Sequence, residues 1–201
     1  MRLREDSKLR SALYGLYVAL FEAKKLSPQD FKDSRLTTIQ TAFMGVENFG
    51  WRVVGITPEA LKRLASVKFR KQELPRALCR GHVVNRVQTT RLLFSHAKPL
   101  SKKRFFDIFL LNDCTVIMLV EQNKTGVRFP RYVAIDNPDA ELFPNGGLIG
   151  WKHRKKERDF LAELHKDFRN GRCEVVETNL PRDRTVHRAK PRANPSVKAR
   201  D

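Results

Sequence analysis

The sequence predicts an α+β domain: N-terminal helices, a small antiparallel sheet flanked by further helices, and a disordered basic tail at the C-terminus. Three observations carry that prediction. Leu9, Leu13, Leu16 and Leu20 recur at spacings of four, three and four, the period of a helix face. The run "CTVIMLVEQ" is rich in β-branched and long apolar residues and too short for a helix. Phe160, Leu161, Leu164 and Phe168 then form a second apolar stripe at helical spacing. With 41% hydrophobic residues and 13 Phe among 201 residues, the chain can bury a core of ordinary domain size.

In chain order, the leucine stripe places a helix running to about Lys25, ended by "SPQD". The following "RLTTIQTAFMGVENFGWRVVGI" fits neither helical nor strand period cleanly, and its first half is left unassigned. Thr57-Pro58-Glu59 is a helix start: a hydroxyl cap, proline at the first helical position, and an acid in the first turn. Ser101 is a second cap before "RFFDIFLL", with a strand as the alternative for that run. After the strand "CTVIMLVEQ", "NKTG" is a turn and "VRFPRYVAI" a returning partner strand with Pro130 at an edge or bulge. A helix over about 152–169 ends at Gly171, and "CEVVE" is a last short strand. Residues 1–180 form the expected single domain, and 181–201, with three prolines and seven basic residues, the tail.

Charge is concentrated in one place. Between Lys62 and Arg104 stand thirteen Lys and Arg and a single acid, Glu73, in a chain whose net charge is +18. Such a stretch points to a polyanion, because neutralised phosphates release counterions and supply sequence-independent affinity. The candidate nucleic-acid contacts are Arg76, Arg80, Arg86, Arg91, Lys102, Lys103 and Arg104, with Arg154, Lys155 and Lys156 in "GWKHRKKERDF" as a second basic site beside Trp151. DNA is favoured over RNA as the partner. For the second site the competing reading is a solvated helix face whose Lys and Glu pair. No run reaches the roughly 18 apolar residues of a membrane span, so no membrane partner and a cytoplasmic location are expected. Cys79, Cys114 and Cys173 are odd in number and include no C-x-x-C pair, which argues against a disulfide framework or a zinc knuckle.

His82, within "RGHVVNR", is the first candidate for chemistry, since phosphate-cleaving sites combine a histidine that activates water with cations that hold the phosphate. "CRGHVVNR" resembles the opening segment of the HNH, or ββα-metal, nuclease family, and "NDCTVIMLVEQN" resembles that family's later asparagine, apolar run and closing ligand. Asn85 stands where the family's proline would be. The resemblance implies His82 as general base, Asn112 as the residue orienting it, and Asn123 or Glu121 on a divalent metal such as Mg²⁺. A restriction-type arrangement uses the same region differently: Asp113 before the strand, with Glu121 and Asn123 at its end, converging on the metal. In the endonuclease reading His82 activates water, Glu121 with Asn123 holds the metal, Arg80 and Arg86 clamp the scissile phosphate, and a homodimer would be natural for cutting two strands. The expectation is therefore a nucleic-acid-binding protein, most narrowly a metal-dependent DNA endonuclease. The alternatives are a regulator or ribonucleoprotein component that only docks, and contact with an acidic protein.

Overall fold

The computed structural model describes residues 7–44, 51–74, 76–124, 128–144 and 152–178. The predicted tail, Trp151 and the second half of the "NKTG" turn lie outside them. Helices α1 (Ser7–Leu26), α2 (Asp33–Met44), α4 (Arg86–Phe94) and α5 (Lys102–Asn112) form one layer. Strands β1 (Arg52–Ile56), β2 (Leu78–His82), β3 (Cys114–Leu119), β4 (Tyr132–Ala134) and β5 (Val175–Val176) form one sheet, with α3 (Pro58–Ala65) and α6 (Lys155–Arg169) against one face. The class is α+β, as the sequence predicts.

The helical layer is built around Tyr17. Its ring stacks on Phe105 at 4.4 Å and meets Phe94 edge-on at 5.3 Å. Its buried hydroxyl donates to Leu93 O and accepts from Leu100 N, so no polar atom is stranded. The inward face of α1 centres on Leu13, Tyr17 and Phe21; of the leucine stripe, Leu9 and Leu20 pack beside this face and Leu16 is 48% exposed. Aromatic rings, larger than leucine, decide which way the helix rolls. Between α2 and α4 the contact is polar: Thr37 Oγ1 lies 2.8 Å from Thr90 Oγ1, and Thr90 donates to Gln40 Oε1.

Both predicted caps form. Thr57 Oγ1 accepts from Ala60 N to open α3, and Ser101 Oγ accepts from Arg104 N to open α5. "RFFDIFLL" is thereby helical. Gly171, at φ +68°, ends α6 in the left-handed conformation that costs glycine little.

The strand order is β2-β3-β1-β4-β5. β1 and β3 are parallel and every other pair is antiparallel, so the sheet is mixed. The segment expected to return beside β3 instead pairs, as β4, with β1 and β5. β3 is already flanked by β1 and β2, which leaves it no free edge. Val53, Ile117 and Val133 face α3 and α6, where Leu61, Leu64 and Leu161 cover them. Val116 and Met118 point the other way, under Phe129 and Tyr132. A side chain at Gly55 would run into the Tyr132 ring.

The His82 cluster and the candidate nucleic-acid interface

β2 carries Arg80 and His82 on the same side of the strand, two residues apart, and the fold sends them to different places. His82 ends β2 where the sheet meets the helical layer. Its Nε2 lies 2.9 Å from Asp113 Oδ1 and 2.9 Å from Arg86 Nε. Asp113 follows α5 directly, Arg86 is the first residue of α4, and Trp51 precedes β1, so four elements meet here. Trp51 N donates to Asp113 Oδ2 at 3.0 Å, and the Trp51 ring meets His82 edge-on at 4.6 Å. The Arg86 guanidinium lies 4.5 Å from the Trp51 ring centroid and also donates to Asp113 Oδ1 and Thr41 Oγ1.

Asp113 is buried, which alone would raise its pKa. The hydrogen bond and charge of His82, the Arg86 charge and the Trp51 N–H together hold it below the ordinary carboxylate value. One ring nitrogen cannot both accept from Arg86 and donate to Asp113. Nε2 accepts from Arg86 when unprotonated and donates to Asp113 when it carries the proton. In both states Nε2 is engaged, so a water could be activated there only after Arg86 or Asp113 moved away.

The predicted site residues are brought together only in part. Asp113, not Asn112, makes the contact to His82, and Asn112 lines a cavity of about 20 Å³ beside Gln40 and Thr41, the size of a single water. Glu121 lies in the short 3-10 turn beyond β3, with Asn123 just after it. His82 pairs with Thr115 at the start of β3, whereas Leu119 at its end pairs with Leu78. Asp113 and Glu121 therefore sit at opposite ends of β3, roughly 20 Å apart along the strand. The donors predicted for a divalent metal do not converge on one ion, and among the described residues no group of three His, Cys, Asp or Glu could hold one.

Arg80 is not placed to clamp a phosphate. Its side chain runs into the interior against α6, where burial pushes its pKa down to about 10 and the charge of Glu157 partly offsets that. Lys71 and His153 are buried in the same region. His153 Nδ1 lies 3.0 Å from Phe69 O, its ring meets Phe143 edge-on at 5.4 Å, and burial pushes its pKa down to about 4. Glu157, fully buried, accepts from Phe143 N, Arg154 N and the Arg154 guanidinium. Burial would raise its pKa, but those bonds hold it down.

The remaining cations divide sharply. At the start of α6, Arg154 pairs with Glu157, Lys155 with Asp159 and Lys156 with Glu141. The paired-helix-face reading holds there. In the 62–104 stretch, Arg70 pairs with Glu73, Arg86 with Asp113, Arg91 with Asp33 and Lys103 with Asp107, and Lys102 donates to Ser11 Oγ. Lys62, Arg63, Lys68, Arg76, Lys98 and Arg104 are exposed and have no acid partner among the described residues. Sequence reasoning named Arg76 and Arg104 and passed over the other four, whose signal was only that Glu73 is the sole acid within the 62–104 stretch.

No known protein family, curated protein or solved structure matches this chain. No helix among the described residues is long and apolar enough to cross a membrane.

Proposed function

We propose that this chain is a nucleic-acid-binding protein that docks through the exposed cations of residues 62–104, with DNA favoured over RNA. The observation that carries the reading is the set Lys62, Arg63, Lys68, Arg76, Lys98 and Arg104, exposed and without acid partners among the described residues, whereas the cations at the start of α6 are paired. Unpaired surface cations repel one another, and a phosphate backbone relieves that repulsion while releasing counterions. Binding of a labelled duplex, followed by fluorescence anisotropy over a range of salt concentrations, tests the reading. Affinity that falls steeply with salt supports it, and affinity indifferent to salt, or no binding, removes it.

A second reading, a metal-dependent DNA endonuclease, is favoured by one feature, the buried Asp113 carboxylate held against His82. A carboxylate in that position fixes the orientation of an imidazole, which a positioned general base needs. The split of Asp113 from Glu121 and the occupation of His82 Nε2 weigh against it. Supercoiled plasmid incubated with Mg²⁺ or Mn²⁺ separates the two readings. Cleavage lost in His82→Ala and Glu121→Ala would establish the enzyme, and bound but intact plasmid would leave the docking protein.

A further inference from the structure

The two helices packed against the sheet, α3 and α6, leave a groove between them. It has a volume of about 610 Å³ and is lined by Pro58, Lys62 and Ala65 of α3 and by His165, Phe168 and Arg169 of α6, with Glu59 at one end. That volume falls in the range of pockets that take small organic groups. Phe168 is half-buried, packed on the sheet-facing core with part of its ring toward the groove. His165 is braced edge-on by Phe69 at 5.9 Å. Lys62 and Arg169 are exposed and have no acid partner among the described residues. Glu59 accepts from Gln122 Nε2 at 2.9 Å, an uncharged donor that leaves the carboxylate's charge in the groove.

Resting on the nucleic-acid reading above, we propose that this groove takes an unpaired base of a single-stranded nucleic acid, the ring lying against Phe168 and His165 and the adjoining phosphates against Lys62 and Arg169. An aromatic floor between two cations is the combination that single-strand binders use, because every base offers a flat face and every nucleotide a phosphate. A duplex keeps its base faces stacked inside and has nothing to insert. The cations decide the sign of the ligand: Lys62 and Arg169 outnumber Glu59.

The test measures binding of oligo-dT, oligo-U and a DNA duplex of equal length by anisotropy, for the full chain and for Phe168→Leu, Lys62→Glu and Glu59→Gln. Phe168→Leu should weaken both single strands about tenfold, the loss of one base–aromatic stack, and leave duplex binding within twofold. Retained duplex binding shows that the variant is folded. Lys62→Glu should weaken single-strand binding further, and Glu59→Gln should strengthen it severalfold. A preference between oligo-dT and oligo-U identifies the natural strand, and the groove stands with either. If the duplex binds while Phe168→Leu and Lys62→Glu bind single strands as the parent does, the groove assignment is wrong and the broader reading survives. If no nucleic acid binds at all, the broader reading fails first.

Discussion

The start of α6 and the stretch from Lys62 to Arg104 are both conspicuously basic in sequence, yet the fold treats them in opposite ways. At α6, each of Arg154, Lys155 and Lys156 is matched by an acid, and beneath them the buried Arg80 faces the buried Glu157. Along 62–104, six exposed cations are left without one among the described residues. A count of basic residues cannot distinguish these regions, because pairing depends on acids brought in from elsewhere, such as Glu141 beside Lys156 and Asp33 beside Arg91. Arg80 makes the point most plainly: by sequence it belongs to the unpaired stretch, and by position to the neutralised one. The α6 region is charge spent on structure, and the exposed set is charge available to a partner.

The strongest way to break that contrast is Glu157→Ala. It removes the carboxylate that Arg154 and two backbone N–H groups share, together with the negative charge that favours the buried Arg80 cation. A loss of about 3–5 kcal/mol in urea unfolding is expected. His153 sharpens the same side of the contrast. Its folded pKa, near 4, lies below the unfolded value of 6.5, so the unfolded chain takes up the proton first. Stability is full above pH 6.5, falls as pH drops from 6.5 toward 4, and loses roughly 3 kcal/mol across that window. His153→Phe should flatten the decline in a pH series of urea melts.

Asp113→Asn tests the site at the end of β2. Loss of the carboxylate weakens the contacts to His82, Arg86 and Trp51 N, for a destabilisation of about 1–3 kcal/mol. Because the pKa of Asp113 is depressed in the fold, the stabilisation it gives is present above the ordinary carboxylate range and lost as pH falls through and below it. The parent should therefore lose stability in strong acid where the variant changes less. Smaller still is Arg76→Ala or Lys98→Ala, each expected to reduce the salt slope of duplex binding by about 1 without altering the melting temperature. The smallest effect belongs to Lys155→Ala with Lys156→Ala, for which binding should stay within twofold, since both cations are already paired.

The sequence made local chemistry legible. Thr57 and Ser101 cap helices where their hydroxyls predict, and "CTVIMLVEQ" supplies the central strand β3. It left α2 and α4 unassigned: part of their mutual contact runs through Thr37, Thr90 and Gln40, polar side chains that bond to one another and give no apolar signal. Strand order was equally hidden: nothing local in "VRFPRYVAI" says that β3 is already enclosed and that β1 must be its partner. Of the candidate site, His82, Arg86 and Asp113 were each named and do meet. That Asp113 rather than Asn112 faces His82 depends on where α5 ends, a difference of one residue that periodicity does not resolve.

The most direct measurement of the central claim is the salt dependence of duplex affinity for the parent and for a variant in which Lys62, Arg63, Lys68, Arg76, Lys98 and Arg104 are all replaced by Gln. If these six cations are the docking surface, the parent's log affinity falls with log salt at a slope of about −5, and the variant retains little slope and little affinity. Equal slopes in the two proteins would contradict the account, because the phosphates would then be held by cations other than the ones the fold leaves unpaired.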